Sequence, residues 1–324
     1  MARRKPAQVH GLVIVDKPRQ CTSHDVVDRV RRVLGERKVG HSGTLDPDAT
    51  GVLLCGVGDA TRLLRFLDVV HLEGRTTTSK TYTGSVVLGI ETDSLDSTGA
   101  VTATHDMSKL MAELSVNGLQ EFVDARFRGN IEQVPPMVSA IRVDGRRLHE
   151  MARAGMEVDR QAREVTIHDI RILDLEQNVI DIEVSCSSGT FIRTLAADIG
   201  RALGGGAHLR NLRRTAIGPY SVSEAVTLEV LESMDQDLAR RSLLPMTACV
   251  RGLSQQYVDT ELRGAIAVGA VLPATTFAGP PPWAAVGDAA DGSEELLAVY
   301  EPFANARVGT GMARPLVVLV NQSS

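Results

Sequence analysis

Gly40-His41-Ser42-Gly43-Thr44-Leu45-Asp46-Pro47-Asp48-Ala49-Thr50-Gly51 is the stretch from which the rest of this 324-residue chain is best read. Its three glycines permit tight turns and close approach of a ligand to the backbone. Pro47 biases Asp46 away from helical geometry and holds its carboxylate on extended chain. The segment lies between apolar runs, where loops that carry chemistry are commonly found. No Gly-Lys-Ser/Thr follows the glycines, so it is not a Walker-type phosphate loop. Taken alone, an Asp before Pro also fits the start of an ordinary turn.

Working outward, Val9 to Val15 is apolar enough for a strand, ended by Asp16-Lys17-Pro18. Thr22 or Ser23 is placed to cap a helix in which Val26, Val27, Val30, Val33 and Leu34 recur at helical spacing, stopped by Gly35. Val52 to Val57 reads as a buried strand and Ala60 to Leu67 as a short helix. Residues 71–79 read as a loose loop, Thr81 to Ile90 as a strand and Glu91 to Gly99 as a polar turn. A helix is expected over Ser108 to Phe122, interrupted near Asn117-Gly118, then a strand from Arg126 to Gln133. Arg146 to Ala154 is expected to be helical, closed by Gly155. Val165 to Leu175 and Val179 to Ser185 look like paired strands around Gln177-Asn178. Helices follow over Thr190 to Leu203 and Thr227 to Arg240. From about Arg251 the texture turns to Gly and Pro clusters and short Val-rich runs, the pattern of a small all-β domain. Strands and helices interleave over 1–250 without a regular βαβ repeat, which favours α+β over a doubly wound sheet.

Composition narrows the function classes. The net charge of −5 argues against a polyanion partner only if taken as a whole. Residues 1–66 carry 12 Lys/Arg against 7 Asp/Glu, whereas residues 221–324 carry 6 against 12. A basic N-terminal part suits an RNA-contacting body. The chain has 30 Arg and 5 Lys; coding bias explains that skew, and so does the fit of the guanidinium fork to phosphate. The four cysteines, Cys21, Cys55, Cys186 and Cys249, are too far apart for a metal knuckle or a CxxC pair and read as free thiols of a reducing cytosol. The apolar runs are too short for a membrane span, and the start of the chain lacks a signal-peptide core. A cytoplasmic protein with no metal and no cofactor is expected.

Seven segments, in order, resemble the motifs of TruB-type pseudouridine synthases. They are Gly11-Leu12-Val13-Ile14-Val15-Asp16-Lys17-Pro18, the Asp46 segment, Lys80-Thr81-Tyr82 with Leu88-Gly89, and Thr92-Asp93-Ser94 with Asp96 and Gly99. Then come Gln133-Val134-Pro135-Pro136 with Ser139-Ala140, Ser188-Gly189-Thr190-Phe191-Ile192-Arg193-Thr194, and Gly206-Ala207-His208 through Leu212-Arg213-Arg214-Thr215. The resemblance spans roughly residues 9–250. It implies an α+β catalytic domain over 1–250 with a central mixed or antiparallel sheet, a thumb-like RNA-binding insertion at about 124–163, and a PUA-like domain over 251–324.

The implied activity is isomerisation of the T-loop uridine of tRNA, position 55, to pseudouridine. The bond from ribose C1′ to uracil N1 breaks, the base rotates and is rejoined through C5. No redox change or group donor is needed. A carboxylate is needed at the sugar–base junction, and attack at C1′, attack on the base and removal of the C2′ proton all fit. The resemblance makes Asp46 that group, whereas Asp48 matches a variable motif position and reads as a solvated turn residue. Arg193 is then the expected partner of Asp46, keeping it ionised. Tyr82 is expected to stack on the flipped base and to serve in proton transfer. Phe191 stands where many relatives carry Tyr, keeping the ring without the hydroxyl. Leu212 is expected to line the uracil pocket, His41 to contact RNA near the flipped nucleotide, and Lys17 to support the fold near the site.

The target uridine must be extruded from the folded T-loop, at a cost of about a few kcal/mol offset by pocket contacts. Residues 124–163 carry eight Arg against six acidic residues, with Arg142, Arg146 and Arg147 as RNA-contact candidates. Arg210, Arg213 and Arg214 form a tighter basic cluster, expected to meet phosphates. Glu91 stands where many relatives have a basic residue. The expected partner is the T-arm of tRNA, with no obligate protein partner and no membrane. Two other readings stand beside this one: a guide-RNA-dependent pseudouridine synthase, and a tRNA-folding or RNA-binding module without catalysis.

Overall fold

A computed structural model describes residues 6–137, 142–143, 146–147, 151, 156, 158–305 and 309–319. The chain forms two compact units. One comprises Met1–Pro47, Gly51–Thr78 and Ala216–Ser324, the other Asp48–Thr50 and Ser79–Thr215.

The first unit is organised on the Gly11–Lys17 strand. It runs antiparallel to the Thr50–Val57 strand, with Val15 opposite Leu53, and parallel to the short Val226–Thr227 strand. The Val39–Ser42 strand pairs antiparallel with Thr50–Val57, and the Asp46 loop joins the two. Both strands are apolar without alternation because both faces are covered. One face receives the Ser23–Leu34 helix, whose Val26, Val27, Val30 and Leu34 pack with Val13, Val15, Leu53, Leu228 and Leu231. Each such side chain contributes about 1.5–3 kcal/mol by leaving water.

That helix begins and ends as its sequence dictates. Thr22 accepts from the Asp25 N–H while Asp25 accepts from the Thr22 N–H, a reciprocal capping box. Gly35 ends it in the left-handed region at φ 64°, donating to the Arg31 and Arg32 carbonyls. The expected helix over Thr227 to Arg240 is two, Leu228–Ser233 and Gln236–Arg241, because Asp235 caps the second by accepting from the Leu238 N–H at 2.8 Å. The expected helix over Ala60 to Leu67 is a pair of 3₁₀ turns, Gly58–Arg62 and Leu64–Phe66.

The loop expected at 71–79 is instead a hairpin, Val69–Leu72 against Arg75–Thr78. Glu73 and Gly74 both have positive φ, 49° and 76°, as primed hairpin turns require, and three threonines favour extended chain. Thr76 donates to Pro281 O at 2.7 Å, so the hairpin is fastened to the C-terminal segment.

Residues from Ser254 onward form a five-stranded sheet in the order Ser254–Tyr257, Trp283–Asp288, Glu294–Asn305, Gly309–Val318, Leu272–Pro273. One helix, Thr260–Ala267, accompanies it, capped by Asp259; the sequence reading had no helix there. Phe277 stacks on Trp283 and leans on Tyr300, with ring centroids 5.1 and 5.0 Å apart. The other face of this sheet, with Ala284, Val286, Leu296, Val299 and Val317, shares one core with Leu12, Ile14, Leu54, Leu63 and Phe66.

The second unit is a largely antiparallel sheet in the order Ala207–Ile217, Lys80–Leu88, Val179–Cys186, Arg163–Glu176, Gly129–Gln133. The Ile192–Ala202 helix packs on the Lys80–Leu88 strand, and the Val116–Phe127 helix on Arg163–Glu176. The expected Ser108–Phe122 helix does divide, but at Leu114-Ser115, because Ser115 caps the second part by accepting from the Gly118 N–H at 3.1 Å. Arg126 belongs to that helix, so the strand expected from Arg126 starts at Gly129. Gln120 donates to Ile170 O and accepts from the Ile172 N–H, both at 2.8 Å, replacing a missing strand partner beside an irregularity in the sheet register.

Arg146 and Arg147 are strand rather than the start of a helix. They pair with Arg142–Val143, Arg142 opposite Arg147. Met151 is helical, while most of the helix expected up to Ala154, Gly155 and the Ser139-Ala140 part of a motif lie outside the described residues. The α+β class expected from sequence is the class observed.

Candidate active site

In the first unit, the backbone on both sides of Asp46 is held. Ser23, 2% exposed in the first turn of its helix, accepts from the Leu45 N–H at 2.9 Å and donates to Leu45 O at 3.2 Å. On the other side, Pro47 O accepts from Lys17 Nζ at 3.1 Å and from the Cys21 N–H at 3.3 Å. Lys17 is fully buried, and its ammonium also donates to Cys21 O at 2.6 Å and Pro18 O at 2.9 Å. Leu45 is buried and anchors the loop; Asp46 is half-buried and Pro47 exposed. The main chain that carries the Asp46 carboxylate is thus fixed at both neighbours. His41 lies on the Val39–Ser42 strand opposite Cys55.

The Lys17 ammonium thus ties together the main chain at Pro18, Cys21 and Pro47. Replacing Lys17 by Met takes the ammonium from three carbonyls, of which, among the described residues, only Pro47 O keeps a second donor in the Cys21 N–H, and is expected to lower stability by about 2–4 kcal/mol. Urea unfolding of Lys17→Met against wild type measures this; an unchanged midpoint would remove the ammonium's structural role.

In the second unit, Arg193 is 5% exposed on the Ile192–Ala202 helix. Its Nη1 donates to Ser94 O at 2.9 Å and lies 3.5 Å from Asp96 Oδ2. The turn that presents Asp96 is tightly wound. Asp96 Oδ1 accepts from Ser94 Oγ at 2.7 Å, the Thr98 N–H at 2.9 Å and Thr98 Oγ1 at 2.5 Å, and Thr92 Oγ1 donates to Asp96 O at 2.7 Å. Gly99 is required, since a Cβ there would stand 2.3 Å from Asp93 Oδ1 and Ser94 Oγ. The turn is stitched to the Ala207–Ile217 strand: Ser97 N–H donates to Leu209 O, and Leu209 N–H to Leu95 O. Asp96 lies in the Thr92-Asp93-Ser94 motif, where Asp93 is a second carboxylate. Its spacing could not say which carboxylate of the turn faces the arginine.

Tyr82, 8% exposed, lies on the Lys80–Leu88 strand opposite Val184. Two residues on, a Cβ at Gly84 would come within 3.1 Å of Leu209 Cδ1 and 3.8 Å of Leu212 Cα, so the strands of Tyr82 and Leu212 lie side by side. Leu212 is half-buried. Phe191 is half-buried on extended backbone (φ −99°, ψ 104°) just before the Arg193 helix. The second unit thus gathers Tyr82, Phe191, Arg193, Asp96 and Leu212 on adjoining elements.

The basic cluster divides by burial. Arg210 is exposed and Arg213 half-buried, its Nη1 donating to Thr50 Oγ1 at 3.3 Å. Arg214 is 1% exposed. Its side chain is packed inside the fold, whereas that of Arg210 faces solvent. The side chains of Arg142, Arg146 and Arg147 lie outside the described residues.

The thiols are unsuited to nucleophilic work. All four are buried. Burial pushes Cys55, Cys186 and Cys249 up to about 12, and desolvation, only partly offset by Lys17, raises Cys21. At pH 8 a thiol of that acidity is about one part in ten thousand thiolate. Native protein is expected to resist iodoacetamide with full activity retained, and to be alkylated in urea; mass spectrometry reads the difference. Among the described residues, no cluster of three or more His, Cys, Asp or Glu is arranged to hold a metal ion. No helix among them is long and apolar enough to cross a membrane.

The model of the TruB family pseudouridylate synthase N-terminal domain matches residues 31–192, and that of the tRNA pseudouridylate synthase B C-terminal domain matches 193–251. The chain belongs to the TruB family of pseudouridylate synthases. It is 47% identical over 256 residues to a tRNA pseudouridine synthase B of Paenarthrobacter aurescens, covering 76% of this chain and 77% of that protein. The counterpart from Aromatoleum aromaticum is 44% identical over 266 residues, 82% of each chain. Among solved structures, a Cbf5-Nop10-Gar1 complex matches with a TM-score of 0.65 at 25% identity, over 95% of this chain and 85% of that one. The archaeal box H/ACA Nop10-Cbf5 complex matches equally well in fold, with a TM-score of 0.65 over 97% of this chain and 87% of that one at 24% identity. Membership of the TruB family makes the chain an enzyme, an isomerase of uridine in RNA.

Proposed function

We propose that the chain converts uridine 55 in the T-loop of tRNA to pseudouridine, with Asp46 as nucleophile. The observation that carries this reading is the two-sided fastening of the Asp46 backbone, by Ser23 on Leu45 and by Lys17 and the Cys21 N–H on Pro47. Relatives 44–47% identical bear the name tRNA pseudouridine synthase B, which supports tRNA as the substrate.

The roles follow from chemistry. The everted uridine stacks on Tyr82, against Phe191 and the apolar wall of Leu212. Asp46 opens the glycosidic bond at the sugar–base junction while Arg193 keeps its carboxylate ionised. Uracil, retained by stacking, turns and rejoins C1′ through C5, Asp46 is released as its own bond breaks, and the Tyr82 hydroxyl handles the proton lost from C5. Phe191 lacks a hydroxyl, so it contributes ring area and no proton. His41 contacts RNA beside the flipped nucleotide. Arg210 and Arg213 meet phosphate, together with Arg142, Arg146 and Arg147 in the insertion between the Gly129–Gln133 and Arg163–Glu176 strands. Residues 251–324 act as a PUA-like RNA-binding domain, and the protein works in the cytoplasm.

The test is incubation of the purified chain with unmodified tRNA and with a bare T-arm hairpin, followed by mapping of pseudouridine. Product at position 55 in both supports the reading. Product only when a guide RNA is added favours the guide-dependent alternative, and tight binding without product favours a folding module.

A further inference from the structure

Gln133 ends the Gly129–Gln133 strand and is 2% exposed. Its side-chain amide makes two bonds to one distant residue: Oε1 accepts from the Phe191 N–H at 3.0 Å, and Nε2 donates to Phe191 O at 3.3 Å. Phe191 sits immediately before the helix that carries Arg193, and its side chain supplies no cap of its own. Gln133 is also the last strand residue before the insertion. It pairs with Arg163 across the sheet, and Arg160 Nη1 closes the insertion's root by donating to Pro135 O at 3.0 Å.

We propose that Gln133 is a positioning residue that locks the main chain of Phe191, and so the first turn bearing Arg193, to the root of the insertion. This rests on the proposed roles of Phe191 and Arg193. A buried amide bonded to both the N–H and the C=O of one residue grips the peptide units on either side of its Cα, and so fixes its position and its rotation. One bond alone would leave the rotation free. The strand end and the helix start are 58 residues apart in sequence, so covalent connection does not set their registry. The ring that faces the base is then held by the same side chain that ends the strand entering the insertion. Contact of RNA with the insertion and stacking in the pocket therefore share one fixed point.

Gln133→Glu tests this. Its shape is unchanged and it still accepts from the Phe191 N–H, but it offers Phe191 O a second acceptor in place of a donor. We expect kcat on a T-arm hairpin to fall about 10- to 100-fold with KM changed less than about threefold, as for a misplaced reacting group. Gln120→Glu is the matched control. It disturbs the same two-point bond, to Ile170 and Ile172, and is expected to lower the melting temperature without changing kcat. The proposal is overturned if Gln133→Glu keeps wild-type kcat, or if both variants lose activity only in proportion to their melting. Asp46→Asn assayed alongside separates the two levels: turnover by that variant sinks the assignment of Asp46, whereas a Gln133→Glu result at wild-type rate with Asp46→Asn inactive sinks only the role of Gln133.

Discussion

Asp46→Asn is expected to reduce pseudouridine formation by about 10³-fold or more while leaving RNA affinity within about threefold. The substitution is isosteric. The bonds that hold the loop, from Ser23 to Leu45 and from Lys17 and Cys21 to Pro47, all involve backbone atoms of the neighbours and survive it. What is lost is the anionic oxygen. A neutral amide is a far poorer nucleophile, and no buried thiol can replace it, because burial holds the cysteines protonated. The measurement is single-turnover conversion of a T-arm hairpin beside a filter-binding titration. Conversion within tenfold of wild type, about 1.4 kcal/mol of barrier, would end the assignment of Asp46.

Asp96→Asn should come second, with kcat lowered about 10- to 100-fold and folding weakened by only about 1–2 kcal/mol. The two carboxylate oxygens have separate duties. Oδ1 accepts three bonds within the turn, from Ser94 Oγ and from the N–H and hydroxyl of Thr98. Oδ2 is the one beside Arg193. Asparagine keeps its carbonyl toward the three donors, so the turn and its Gly99 geometry persist. Its NH₂ then faces the guanidinium, replacing attraction by repulsion between donors. Arg193 is 5% exposed, so water does little to screen the change. Circular dichroism melts and steady-state kinetics on one preparation separate the two effects. A kcat equal to wild type would show that the Asp96 charge has no part in presenting Arg193.

Much of this architecture is legible in the chain itself, where local chemistry decides the outcome. Thr22 and Gly35 bound the first helix because capping and the left-handed turn are properties of a few adjacent residues. The α+β class followed from the irregular alternation of runs. The Glu73-Gly74 hairpin was missed because its strands carry threonine and histidine rather than large apolar side chains, and its tie to Pro281 is over 200 residues distant. The helix break at Ser115 was displaced toward the more conspicuous Asn117-Gly118, although a serine three residues before Gly118 was the capping signal. The candidate site residues were named by motif resemblance. Asp96 and Gln133 stood inside quoted motifs without a role, since a carboxylate's orientation and an amide's bonds to a helix start 58 residues away are facts of tertiary structure. Arg210, Arg213 and Arg214 look uniform in sequence, but the first is exposed, the second half-buried and the third buried, a difference set by what packs against each.

The common core of the first unit has a bearing on how such proteins can be recombined. Val286, Leu296 and Val299 rest against Leu12, Leu54 and Phe66, and Arg62 Nη1 reaches Val318 O at 2.8 Å. Genetic exchange that replaced everything after residue 250 by an unrelated tail would leave a greasy wall of the N-terminal strands wet. A transplanted tail has to bring a matching apolar relief as well as its own ligand preference, so the two ends of this polypeptide are expected to diverge in step rather than as independent cassettes.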